Sequence, residues 1–193
     1  MSETAPAPRP PWRELFSEAA LRRLARLALL RGGEELVWLG ERGEKFAKQL
    51  EKICEARVKL RTELDGIAKR SVGLLVAPEI VGQGGLDKAL KQLRGLLETD
   101  GVLALAMAVD AGGPVSDEER GHGEQRQAGP LQSLMEAMGE LAASGFEPLT
   151  AELLPRKTGV GEPAVSGASL CLLVGRRVEP GAPPRWPRRA GME

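Results

Sequence analysis

Aromatic side chains are scarce in this chain, with three Trp, three Phe and no Tyr among 193 residues. A core without them must be built from Leu, Val and Ala, and ring platforms for stacking single-stranded bases are excluded. Charge of one sign is missing as well: Lys and Arg number 27, Asp and Glu 27, so the net charge is zero. A nucleic-acid binder whose affinity comes from released counterions needs a basic surface, and this balance argues against one. The only cysteines are Cys54 and Cys171, each inside an apolar run, where small buried hydrophobes are expected. Two such residues make neither a disulfide framework nor a metal site. No run approaches the roughly 20 apolar residues of a membrane helix. The opening residues Met1 to Pro11 are polar and proline-rich, without the apolar stretch of a signal peptide. A soluble, cytoplasmic protein with no membrane and no nucleic-acid partner is expected.

What is present is a succession of short apolar runs and amphipathic segments. Residues 1–11 read as a disordered lead-in. From Trp12 to Arg31, Leu15, Phe16, Ala19, Leu24, Leu27 and Ala28 mark one helical face. Residues 35–39 form a short buried strand ending at Gly40, and Gly40 to Gly43 a turn. Helical spacing resumes over 44–55 through Phe46, Leu50 and Ile53. A short strand is expected over 56–60, one or two helical turns over 62–69, and a fully apolar strand over 72–77 broken by Pro78. Leu86, Leu90, Leu93 and Leu97 line a helix over 86–97, and Thr99 to Gly101 form a turn. Val102 to Val109 is uninterrupted apolar sequence, as in a central strand covered on both faces. A long polar loop covers 110–130. A helix follows over 131–143 with Leu134, Met135, Met138 and Leu141 inward. Strands over 146–154 and 168–174 close the domain. The domain spans 12–177, with 12–31 as an N-terminal helix, and 178–193 is a Pro/Arg-rich disordered tail. Alternating strands and helices predict an α/β fold: a Rossmann-like, doubly wound, mostly parallel sheet. The last two strands have no helix between them and form an antiparallel hairpin at one edge.

This order resembles the class I S-adenosylmethionine (SAM) dependent methyltransferases over about 35–177. Leu96-Leu97-Glu98-Thr99-Asp100-Gly101-Val102 stands where that family has a Leu-Leu-x-x-Gly-Gly turn into its long central strand. Ala143-Ser144-Gly145-Phe146 matches the Gly-Phe pair that ends the family's following helix. The resemblance implies that the cofactor lies on a Gly-x-Gly-x-Gly loop after the first strand, preceded by an acid. Here that stretch reads Val37-Trp38-Leu39-Gly40-Glu41-Arg42-Gly43-Glu44. Trp38 replaces the acid, and Arg42 and Glu44 replace the second and third glycines, so they are expected to fill the methionine space. Vestigial cofactor positions are Gly40, Glu41 and Gly43 in this turn, and Ala77 and Pro78 at a strand's carboxyl end. Glu63 and Asp65 are the nearest candidates for the ribose acid, and Glu79 is a candidate site acid. The span from Gly40 to Ser71 is too short for the family's helix–strand–helix–strand–helix passage, so the fold is shortened by about one βα unit. His122 is the only histidine, in the polar loop, and a spectator role is favoured over that of a general base.

Three functions follow. The first is a methyltransferase-like domain that has lost cofactor binding and serves as a protein-binding or scaffold module. It would carry no cofactor, and its loop 110–130 and tails would meet a protein partner. The second is an active SAM-dependent methyltransferase with an atypical, shortened cofactor site. The third is an unrelated doubly wound domain. Catalytic residues cannot be named on any of the three, and metal ligands are not expected.

Overall fold

A computed structural model describes residues 11–28, 35–79, 85–110, 133–155 and 168–179. The expected loop 110–130 with His122 and almost all of both tails lie outside the described residues. The chain opens with a 3-10 turn, Pro11–Leu15, followed by α1 (Glu18–Ala28). Then come β1 (Glu35–Leu39), α2 (Glu44–Cys54), β2 (Val58–Arg61) and β3 (Val72–Ala77). The remainder is α3 (Leu86–Leu96), β4 (Leu97–Asp110), α4 (Leu134–Ala143), β5 (Phe146–Pro155) and β6 (Ala168–Arg177).

The six strands form one sheet in the order β2-β1-β3-β4-β6-β5. The pairs β1–β2, β1–β3 and β3–β4 are parallel, and β6 lies antiparallel between β4 and β5. Period-two alternation divides the core into two layers. Leu36, Trp38, Leu74, Val76, Val102 and Ala104 pack on the side of α1 and α2. Val37, Leu39, Leu75, Ala77, Leu103 and Leu105 pack against α3 and α4. Both faces of β3 and of the Val102–Met107 part of β4 are therefore covered, which is why those stretches are unbroken apolar runs. The expected α/β architecture with its antiparallel closing pair is present.

Several local expectations change. The N-terminal segment is not one helix: the 3-10 turn is separated from α1, whose Ser17 accepts at Oγ from the Ala20 N–H. No helix forms over 62–69, where the chain makes turns. Between β1 and β3 there is thus one helix, one strand and a run of turns, in line with the missing βα unit. Thr99 to Gly101 do not interrupt β4; the irregularity is absorbed by Asp100, at φ 68°, and a shift of the β3–β4 register. On α4, Met135 is 78% exposed rather than inward, and Ala137 and Leu141 hold the core instead. Leu134, Ala137, Met138 and Leu141 follow the i, i+3, i+4, i+7 spacing of one face, and Met135 lies off it. Ser133 and Glu136 form a reciprocal capping box at the start of α4.

At the amino-terminal end of the parallel strands two arginines are buried. Arg177 donates to the Leu97 carbonyl and to Glu179, and Arg176 pairs with Glu147 at 3.7 Å. This end is held by internal ion pairs, leaving the opposite end as the open one.

Candidate functional site at the carboxyl ends of β1, β2 and β3

From β1 the chain goes outward to β2, then crosses back past β1 to β3. The strand order reverses between β1 and β3, and in open α/β sheets a ligand crevice lies there, beyond the carboxyl ends of the strands. Gly40 leaves β1 at φ 136°, a conformation that excludes most side chains. A Cβ built on it would sit 3.5 Å from Glu79 Oε2 and 3.7 Å from Pro78 Cγ. The side of the crevice facing β3 is therefore occupied. Glu79 is held there by Trp12, whose indole Nε1–H donates to Glu79 Oε1 at 2.7 Å. The 3-10 turn is thus tied, across 67 residues of sequence, to the end of β3 beside Gly40.

Trp12 is itself fixed by an aromatic cluster. Four of the chain's six aromatic residues, Trp12, Phe16, Trp38 and Phe46, meet with ring centroids 5.0–6.2 Å apart. Trp38 and Phe46 stack at 9°, and the other pairs are tilted or edge-on. Contacts of this kind contribute about 0.5–1.5 kcal/mol each beyond the area they bury. Trp38, at the position of the family's acid, is fully buried, and its Nε1–H meets no acceptor among the described residues. It does not enter the crevice; it supports it from below.

The turn after β1 is built on that support. Gly43 is buried, and a Cβ there would fall inside the Trp38 indole. Its glycine is required by core packing, whatever binds outside. Gly43 also starts α2, where its carbonyl accepts from the Ala47 N–H at 2.9 Å. The Gly40 N–H, which a cofactor loop would present to its ligand, donates to the Arg61 carbonyl of β2 at 2.8 Å. Arg42 takes a left-handed conformation at φ 59°, and Arg42 and Glu44 are exposed rather than filling the site.

On the outer side of the turn lies an open hollow of about 390 Å³, lined by residues 40–44 and 60–62. The structure brings Gly40, Glu41 and Gly43 together there. It places Ala77 and Pro78 at the buried end of β3, with Pro78 facing Gly40 but not lining the hollow. Glu63 and Asp65 are exposed in the turn after β2 and do not line it either. Arg61 and Thr62 take the place expected for the ribose acid. Neither residue, nor Trp12, is among the site residues expected from the sequence. Arg61 was detectable as the last residue of the second strand, whereas nothing in the sequence couples Trp12 to Glu79. Cys54 is half-buried and Cys171 buried, and burial raises both thiol pKa values. No cluster of three or more possible metal ligands occurs among the described residues, and no described helix is long and apolar enough to cross a membrane.

No protein-family model matches the chain, and no curated protein matches it in sequence. Solved structures do match in fold. Haemonchus contortus phospholethanolamine N-methyltransferase 2, bound to phosphomonomethylethanolamine and S-adenosylhomocysteine (SAH), superposes with a TM-score of 0.55 at 13% identity. The match covers 84% of this chain and 52% of that one, so this chain spans about half of that enzyme's length. Geranyl diphosphate C-methyltransferase from Streptomyces coelicolor gives a TM-score of 0.52 at 14% identity, covering 83% and 77% of the two chains. The [4+2]-cyclase SpnF gives 0.55 at 15% identity over 90% and 85%. One of these is described as a cyclase, so the shared architecture does not fix the chemistry. The fold of this chain is that of the class I SAM-dependent methyltransferases.

Proposed function

We propose that this domain has lost SAM binding in the manner of the methyltransferases whose fold it shares, and serves as a pseudoenzyme that binds a protein partner. The observation that carries the reading is the Trp12–Glu79 bar across the crevice between β1 and β3. Three further features support it. The Gly40 N–H is spent on β2, Gly43 is explained by Trp38, and no acid lines the hollow at the end of β2. The ligand-facing donors and the ribose acceptor are thus each committed elsewhere or displaced. The large exposed apolar residues among those described, Leu60, Met135 and Leu153, stand on three separate elements. A partner would therefore engage a mostly polar surface, with Met135 as its most exposed apolar anchor.

Isothermal titration with SAM and SAH tests the proposal. No heat and no thermal shift at millimolar ligand is the expected result; micromolar binding overturns it. The second reading, an active methyltransferase with a shortened site, is favoured by one observation. The hollow is open, and Arg42 and Glu44 are exposed on its wall without closing it. Methyl transfer depends chiefly on aligning a nucleophile with the sulfonium methyl, so this reading asks only that SAM bind.

A further inference from the structure

We infer that the hollow between the β1–α2 turn and the end of β2 takes a nucleotide carrying a phosphate monoester on its ribose 2′ position, gripped by Arg61. The hollow lies on the outer side of the turn, away from the Trp12–Glu79 bar, so the inference stands whether or not SAM binds.

In open α/β sheets the side chain at the end of the second strand, about 20 residues after the glycine turn, meets the ribose of a bound nucleotide. An acid there accepts from the ribose hydroxyls, whereas an arginine accommodates a 2′-phosphate. Arg61 is the last residue of β2, stands in that relation to Gly40, and lines the hollow. Glu63 and Asp65, the acids that could have met free hydroxyls, lie outside it. Arg22, Arg23, Arg176 and Arg177 are each neutralised by a carboxylate. Arg61 is exposed, and its guanidinium has no ion pair among the described residues. A guanidinium meets a phosphate with two parallel, charge-assisted hydrogen bonds, and so suits a monoester better than a lone hydroxyl. Leu60, 43% exposed on the same wall, gives the base an apolar surface.

Charge also decides where the phosphate sits. Glu41, Arg42 and Glu44 line the turn side of the hollow, two carboxylates against one guanidinium that already has a partner, so an anion placed over the turn meets net negative charge. A 5′-phosphate or pyrophosphate resting there is disfavoured, whereas a 2′-phosphate reaches Arg61 at the other wall. The ligand class is therefore distinguished by the position of its phosphate, not by its total charge.

Adenosine 2′-monophosphate and adenosine 5′-monophosphate, titrated calorimetrically into the full chain, separate these cases because they differ in nothing else. The 2′ isomer is expected to bind about tenfold tighter or more, the worth of one charge-assisted contact. Arg61→Ala is expected to abolish the preference and Arg61→Lys to restore part of it, with the thermal midpoint unchanged because the side chain is exposed. Equal affinity for the two isomers, no binding of either at millimolar concentration, or a preference that survives Arg61→Ala overturns the inference.

Discussion

The indole of Trp38 lies directly beneath Gly43, filling the space that a Cβ on that glycine would need. At Gly40, three residues earlier, a Cβ would meet nothing closer than 3.5 Å, and the constraint is the backbone's φ of 136° instead. The two glycines of one turn are thus kept for different reasons, one steric and one conformational.

Substituting them separates those reasons. Gly43→Ala forces Trp38 out of its stack on Phe46 and is expected to cost about 2 kcal/mol or more, as overpacked cores do. In the Gly43→Ala/Trp38→Leu double variant the clash is removed, and the Gly43 substitution should then cost less than it does alone. Gly40→Ala costs about 1–3 kcal/mol through strain, and the same Trp38 change leaves that cost in place. Urea unfolding of the set measures both, and equal coupling of the two glycines to Trp38 would contradict this account.

Trp12→Phe keeps a ring in the aromatic cluster and removes the donor to Glu79. The expected loss is about 1–2 kcal/mol, the worth of a hydrogen bond to a charged group at a partly exposed site. Trp12→Ala also deletes a buried ring and should cost about 3–5 kcal/mol. If Trp12→Phe and Trp12→Ala unfold at the same urea concentration, the 3-10 turn is not anchored as described.

How far the sequence discloses the fold follows from the same residues. The apolar runs at 72–77 and 102–109 identify central strands because burial on both faces leaves no polar position. The missing unit is legible too, as a plain shortage of residues between Gly40 and Ser71. Edges and helix faces are harder: Met135 is as apolar as its neighbours, yet the inward stripe of α4 runs through Leu134, Ala137, Met138 and Leu141. The site is least legible of all. Trp38 and Gly43 are five residues apart and their contact is local, whereas Trp12 and Glu79 meet only because the fold closes a long loop. Trp38 stands where the resemblance to the methyltransferases expects an acid, and its side chain is fully buried in the core.

Cys171 carries a pH dependence. Burial first, and then the negative charge of Glu152, push its thiol from about 9 to about 11. The unfolded thiol ionises at the lower value, so above about pH 9 the unfolded chain holds fewer protons than the native one. Stability from this group is complete below pH 9 and is lost as pH rises toward 11. Cys171→Ala or Ser should flatten that part of the stability–pH curve. At pH 8, Cys171 should react with a thiol reagent only as fast as the chain opens, and labelling of Cys171 at the rate of a free thiol would contradict its burial.

The bar across the crevice is reported most directly by the indole N–H resonances of Trp12 and Trp38 in a titration with SAH followed by NMR. With Trp12 bonded to Glu79 and the crevice between β1 and β3 filled, both resonances should stay in place to millimolar SAH. A saturable shift of the Trp12 resonance at micromolar SAH would mean that the cofactor displaces the bar, and the chain would then be a SAM-binding protein after all.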